Sequence, residues 1–170
     1  MRACLVAGAC LLAACSTNGG NVAQEPPAKV MGAGPVLLQE VRAAGELGNE
    51  LDVQPLRDPQ VEDLRAIARA AEAKGDYAGA QDALRRALEI SPKDPELLQW
   101  SAEMALVAHD WPRAQQLAME SHSLGPKLGG LCRRNFTIVR MAAEARGDVG
   151  AASQAQQQAA ACAVAPPTRY

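Results

Sequence analysis

The feature that most restricts the fold of this chain is a repeat of the sequence on itself at a shift of 34 residues. At that shift, Gly-Asp-Tyr-Ala-Gly-Ala at 75–80 aligns with His-Asp-Trp-Pro-Arg-Ala at 109–114. Ile-Ser-Pro at 90–92 likewise aligns with Leu-Gly-Pro at 124–126. A repeat of this length is typically one pair of helices that cannot bury its apolar face alone, so that consecutive units must stack. The repeat therefore predicts an all-α solenoid.

The apolar and small residues of each unit resemble the pattern of the tetratricopeptide repeat family. The first unit carries that pattern at Leu64, Ile67, Ala68, Ala71, Gly75, Tyr77, Ala80, Leu84, Ala87 and Pro92. The second unit carries it at Leu98, Ala102, Ala105, Trp111, Ala114 and Pro126. It departs from the pattern at Ser101, His109, Ala118 and Ser121. The resemblance implies a tetratricopeptide-like α-solenoid of about three helix-turn-helix repeats.

A third and weaker copy follows an insertion of four residues near 129–130. The segment 147–152, Gly-Asp-Val-Gly-Ala-Ala, repeats the turn and its small residues. Core positions of the preceding helix are filled by Phe136, Val139 and Ala143. Val164 stands where the closing proline is expected. The resemblance covers residues 61–164, and at least three units are usually needed for a stable array.

Local signals place the helix boundaries. Asp58 and Asp94 each precede a proline, which puts a capping carboxylate directly before the first helical position. Aspartates also stand before the second helix of each unit, at Asp76, Asp110 and Asp148. We predict helices over 59–74, 77–90, 95–108, 111–124, 132–146 and 149–162. Residues 36–48 are compatible with a further short capping helix.

The first fifteen residues have the layout of an export signal. Arg2 supplies a positive charge, and an uninterrupted run of apolar and small residues follows over 3–14. This run is shorter than the roughly 20 apolar residues that span a bilayer. Leu-Ala-Ala-Cys at 12–15 resembles the lipobox of bacterial lipoproteins, which implies acylation of Cys15. The alternative is an ordinary secretory signal with an incidental cysteine.

The resemblance to lipoproteins sets the expected organisation and location. In that family, a residue other than Asp after the cysteine directs the protein to the outer membrane, and Ser16 fits that route. We expect an outer-membrane protein that is lipid-anchored and faces the periplasm. The predicted segments are a signal peptide (1–14), a lipidated N-terminus with a flexible tether (15–35), an irregular or capping segment (36–58), a repeat domain (59–165) and a tail (166–170).

Two cysteines remain once the signal peptide and the acylated residue are set aside. They are Cys132, at the start of the third unit's first helix, and Cys162, at the end of its second helix. These two ends are neighbours in an antiparallel helical hairpin. An even pair in an oxidising compartment favours a disulfide. Two unpaired buried thiols are the alternative.

No residue pattern points to catalysis. The sequence has no phosphate-binding Gly-Lys-Ser/Thr loop, no Gly-x-Ser-x-Gly elbow and no His-Glu-x-x-His zinc motif. Its two histidines, His109 at a turn and His122 on a helix, are most simply structural. We therefore predict no catalytic residue, metal or cofactor, and no enzyme. With a net charge of −2 and no basic block, the chain lacks the cationic surface that nucleic acid requires.

The resemblance implies instead a concave groove, lined by the first helix of each unit, that holds a peptide or a partner helix. The positions carried over to this chain are Arg65, Arg69, Gln99, Trp100, Glu103, Arg134 and Met141. Some repeats of this family grip a terminal carboxylate with arginines there. We predict binding by Arg65, Arg69, Gln99, Trp100 and Arg134, with Trp100 as the hot spot. The alternatives are packing of Trp100 against a neighbouring repeat and a solvated arginine face.

The predicted function is that of an adaptor. Its partners would be other envelope proteins or peptide segments, with the membrane reached through the N-terminal lipid. The alternative is a structural envelope protein that acts through self-association.

Overall fold

In a computed structural model of the chain, residues 32–47 and 56–163 can be described. This part of the chain forms seven α-helices and no strand. The helices are α1 (Gly34–Gly45), α2 (Pro59–Ala73), α3 (Tyr77–Ile90), α4 (Pro95–Val107), α5 (Trp111–Leu124), α6 (Gly130–Ala145) and α7 (Val149–Ala161). The predicted all-α solenoid is confirmed, and the six predicted repeat helices agree with the observed bounds to within two residues.

Several predictions concern residues outside the described part of the chain. These are the signal peptide (1–14), the acylated Cys15 and the tail (166–170), together with most of the tether and of the segment 48–58. None of the described helices is long and apolar enough to cross a membrane.

Three antiparallel hairpins stack in chain order, α2 with α3, α4 with α5, and α6 with α7. The same local device starts each second helix: Asp76, Asp110 and Asp148 accept a hydrogen bond from a backbone N–H three residues further on. The residue before each of these aspartates has a positive φ, +74° at Gly75 and Gly147 and +58° at His109. Glycine adopts this conformation without strain, and His109 adopts it beside Trp111, on which its ring stacks at 4.8 Å.

The first helix of the chain is not a cap at the end of the stack. α1 packs on α4 and α6, the first helices of the second and third units, and reaches α2, the first helix of the first unit, through the ion pair of Arg42 with Glu72. Its first residue, Gly34, contacts Val107 at the end of α4, and its last, Gly45, contacts Gly130 at the start of α6. α1 therefore runs antiparallel to these helices. We call the face formed by α2, α4 and α6 the groove; α1 is its occupant.

Apolar side chains of α1 join two separate parts of the core. Leu37 and Val41 pack with residues of the second and third units, including Leu98 and Ile138. Leu38 belongs to the core cluster of the first and second units, which also contains Val61, Leu64 and Trp100. The groove is thus filled along its length by an amphipathic helix of the same chain.

Candidate functional site

The centre of the groove is the carboxylate of Glu103 on α4, which has no exposed surface. Its Oε2 accepts hydrogen bonds from Arg42 Nε at 3.0 Å and Arg42 Nη2 at 2.8 Å. Its Oε1 accepts from Arg134 Nε at 3.1 Å, Arg134 Nη2 at 2.7 Å and Gln99 Nε2 at 2.8 Å. Both oxygens of this buried carboxylate are therefore satisfied by charged or amide donors, as burial of a charge requires.

A second carboxylate, Glu72 near the end of α2, holds the other side of the same arginine. It accepts from Arg42 Nη1 at 2.5 Å and Nη2 at 3.0 Å, and from the indole Nε1 of Trp100 at 2.9 Å. Burial raises the pKa of Glu72, but the hydrogen bonds from Arg42 and Trp100 and the nearby charges of Arg42 and Arg134 outweigh it. The pKa of Glu72 is consequently held below its usual value.

The charges of this network balance only when α1 is in place. Glu72 and Glu103 face the guanidinium groups of Arg42 and Arg134, so two negative charges meet two positive ones. Burial lowers the pKa of Arg42, but its two carboxylate partners outweigh this effect and raise that pKa, which keeps the group charged. Without Arg42, two carboxylates would face one guanidinium, and the centre of the groove would carry an excess negative charge.

Three apolar side chains of α1 point into the groove and are buried there: Leu37, Leu38 and Val41. Full burial of such a side chain stabilises the packed state by roughly 1.5–3 kcal/mol. On the opposite side of the helix, Val36 is exposed over 58% of its surface. The spacing of the buried residues is that of a helix that docks by one face.

Glycines allow both ends of α1 to approach the groove closely. A Cβ atom at Gly34 would lie 2.5 Å from the carbonyl oxygen of Val107, and one at Gly130 would lie 2.6 Å from that of Gly45. Arg133 then closes the C-terminal end of α1, since its guanidinium donates to the carbonyl oxygens of Ala44 at 3.0 Å and Gly45 at 3.1 Å. The docking of α1 is therefore specified at both ends as well as in the middle.

The structure brings together three of the five predicted groove residues. Gln99, Trp100 and Arg134 meet at the network around Glu72 and Glu103, and Arg134 also donates to Gln99. Their surroundings differ from the expected open groove: Trp100 is only 8% exposed, and the anion beside Arg134 belongs to the chain itself. In the structure, α1 covers the surface on which a partner was expected, and binding of a partner by these residues stays a prediction.

The other two predicted residues lie at the edge of the network. The guanidinium of Arg65 lies over the Trp100 ring at 5.7 Å and reaches Glu96 at 3.4 Å and Glu62 at 3.5 Å. Arg69 is exposed, with no ion pair to any residue among 32–47 and 56–163. Of the predicted arginines, Arg69 is the one that the described part of the chain leaves without a carboxylate partner.

Sequence reasoning missed two members of the network, Arg42 and Glu72. The signal for Arg42 was present in the apolar pattern of 36–48, which predicted a helix but not the surface that the helix covers. Nothing in the sequence singled out Glu72, because an acidic side chain on a repeat helix usually faces solvent.

A second ionic cluster ties the start of α2 to the start of α4. The side chain of Arg57 is 6% exposed and reaches Asp94 at 3.2 Å, Glu96 at 2.5 Å and Glu62 at 3.6 Å. Burial lowers the pKa of Arg57, but these carboxylates outweigh it and raise that pKa. The cluster therefore joins the first and second units through ion pairs.

The two cysteines of the third unit form a disulfide in the structure. Cys132 and Cys162 are joined with an S–S distance of 2.00 Å and a Cα–Cα distance of 5.7 Å, and both are buried. The backbone N–H of Gly129 donates to the carbonyl oxygen of Cys162 at 2.7 Å. The bond therefore lies where the insertion loop before α6 meets the end of α7.

The histidines lie apart, since His109 is exposed at the turn before α5 and His122 is near the end of that helix. His122 packs against Phe136 with ring centroids 4.7 Å apart, and its burial, together with the charge of Lys127, lowers its pKa. Within residues 32–47 and 56–163, no group of three or more His, Cys, Asp or Glu side chains is arranged to hold a metal ion.

Comparison with known proteins supports the repeat architecture. Residues 61–104 match the family model described as "Tetratricopeptide repeat". The structure is similar to that of the globular C-terminal domain of P. aeruginosa LpoP, with a TM-score of 0.57 and 28% sequence identity. That similarity covers 62% of this chain and 99% of the LpoP domain. Comparison with curated proteins gives no match. The fold is thus an all-α, tetratricopeptide-like solenoid, as the sequence predicted.

Proposed function

We propose that this chain is a membrane-anchored periplasmic adaptor that binds other envelope proteins through its helical repeats. The observation that carries the proposal is the groove itself: the first helices of three units form a face that accepts an amphipathic helix along its length. Grooves of this kind bind partner helices through apolar anchors at helical spacing. The similarity to the tetratricopeptide repeat family and to the LpoP domain supports the same role.

The membrane part of the proposal rests on residues 12–15, Leu-Ala-Ala-Cys, and on the tether that leads from them into α1. Acyl chains on Cys15 would hold the protein firmly, since each buried methylene contributes about 0.8 kcal/mol. We expect Cys15→Ala to abolish labelling by a lipid precursor and to move the protein from the membrane pellet to the supernatant. Ser16→Ala, a change of the adjacent residue that spares the sulfur, is the matched control. Normal processing and membrane pelleting of Cys15→Ala would overturn the anchor.

The adaptor role can be tested by photocrosslinking in cells. A photoreactive residue at Arg69 would lie exposed on α2 beside the groove, and one at Arg85 would lie exposed on α3, a second helix that does not line the groove. We expect a discrete adduct with another envelope protein from position 69 and none from position 85. Adducts only between copies of this chain would favour self-association instead, and the absence of any adduct from both positions would count against an adaptor.

A further inference from the structure

We propose that the groove binds a partner's amphipathic helix bearing a basic residue, and that α1 is the chain's own occupant of that site. The inference rests on the proposed function, because it names the chemistry of the partner that the adaptor would bind. It differs from what the family resemblance implied, which was a groove whose arginines grip a terminal carboxylate.

The resident helix shows what the groove accepts. α1 presents Leu37, Leu38 and Val41 to the groove, and Arg42 follows directly as the polar anchor. A partner that replaces α1 must fill the same apolar space and meet the same carboxylates. The groove therefore selects a helix with apolar residues at positions i, i+1 and i+4 and a guanidinium or ammonium group at i+5.

The charge of the groove also favours a basic partner. When α1 leaves, Arg42 leaves with it, and Glu72 and Glu103 keep only the guanidinium of Arg134 between them. Glu103 has no exposed surface in the intact groove, so a partner that covers it again without a cation would leave a buried carboxylate poorly compensated. An acidic partner segment would add repulsion to that cost. A basic residue restores the balance.

Departure of α1 would leave the contacts between the hairpins in place. The hairpins pack on one another directly, α3 on α4 and α5 on α6, and α1 takes no part in these contacts. The disulfide likewise joins α6 to α7 and does not involve α1. Because α1 is covalently attached, its effective concentration at the groove is about millimolar, and a partner helix must compete with it.

The experiment uses a fluorescein-labelled peptide of residues 33–46 as the probe, with the full chain purified in detergent. Val41→Glu places a carboxylate at a fully buried position of α1, in the apolar cluster that contains Leu98 and Ile138, and should release the helix from the groove. Val36→Glu adds the same charge at an exposed position of the same helix and is the matched control. We expect the peptide to bind Val41→Glu with a Kd at least tenfold lower than for the native chain or Val36→Glu. Arg42→Glu in the peptide should weaken that binding at least tenfold.

Each outcome decides the proposal. If Val41→Glu keeps its helix content but binds the peptide no better than Val36→Glu, the proposal is overturned. If the Arg42→Glu peptide binds Val41→Glu as tightly as the native peptide does, the requirement for a basic residue is overturned. If Val41→Glu does not fold, hydrogen exchange of the native chain replaces it. We then expect amides of α1 to exchange through a local opening, faster than those of α4. Exchange of α1 only upon global unfolding overturns the proposal.

A failure here is distinguishable from a failure of the adaptor role. The peptide measurements use purified protein and need no cellular partner. If the groove rejects the peptide while the crosslink from position 69 still forms, the adaptor role stands and the proposal about the helix that occupies the groove fails.

Discussion

Arg42 of α1 and Glu103 of α4 are joined by two hydrogen bonds, although 61 residues separate them in the sequence. The other oxygen of Glu103 accepts two hydrogen bonds from Arg134 of α6. One buried carboxylate thus couples α1 to the second and third units of the solenoid.

The first prediction concerns this carboxylate. Glu103→Gln keeps the shape of the side chain but removes the negative charge that lies between Arg42 and Arg134. Breaking a buried pair costs about 3–5 kcal/mol, and we expect the lower end because Arg42 is 39% exposed. Urea unfolding measures the loss. Glu89→Gln, in an exposed pair with Arg85, is the control and should leave the urea midpoint unchanged; an equal effect of both changes would contradict the prediction.

The second prediction concerns the stability of the fold at acidic pH. The pKa of Glu72 is held below its usual value in the folded chain. The charged form of Glu72 therefore stabilises the fold at pH values above the pKa of a glutamate in the unfolded chain, about 4.3. This contribution is lost as the pH falls through the lower pKa that Glu72 has in the folded chain. We expect Glu72→Gln to be less stable than the native chain at pH 7, with the difference shrinking steadily from pH 5 to pH 3. Urea unfolding across that range would show it, and a difference that does not change with pH would refute it.

The third prediction concerns the link between Cys132 and Cys162, 30 residues apart in the sequence. Closing a loop of this length contributes about 3–4 kcal/mol in the chain-entropy model. We expect oxidised, unfolded protein to show no free thiol from this pair, and the double variant Cys132→Ala with Cys162→Ala to lose stability of that order. The native chain in excess reductant should unfold at nearly the same urea concentration as the double variant. Two titratable thiols in the oxidised protein would rule the bond out.

The fourth prediction compares two glycines in the first turns of helices. A Cβ at Gly130 would lie 2.6 Å from the carbonyl oxygen of Gly45, whereas one at Gly150 would meet only Asp148 Oδ1, at 3.6 Å. We expect Gly130→Ala to cost about 1–3 kcal/mol by forcing α6 and the end of α1 apart. Gly150→Ala should be neutral or stabilising by up to about 1 kcal/mol. Thermal unfolding measures both, and faster hydrogen exchange in α1 should accompany the first change alone. Equal stability of the two variants would show that the end of α1 is not held against Gly130.

The repeat helices were predictable from the sequence because the signals that start and stop them are local. Asp76, Asp110 and Asp148 each cap a helix with a hydrogen bond to an amide three residues away, so neither their role nor the helix start depends on the rest of the chain. The 34-residue period adds the stacking order, since each unit buries its apolar face on the next. The repeat register also placed Cys132 and Cys162 together, because they stand at the neighbouring ends of the third unit's helical hairpin.

Only the tertiary structure decided where α1 lies and what it does to the predicted site. An amphipathic pattern shows that one face of a helix must be buried, but it does not identify the surface that buries it. That choice depended on contacts far apart in the sequence: glycines at Gly34 and Gly130 that allow close approach, and carboxylates at Glu72 and Glu103 that meet Arg42. With α1 in place, Trp100 became a buried residue and Arg134 a partner of Glu103, because a charge in the groove is satisfied by whichever neighbouring group the fold brings within hydrogen-bonding distance.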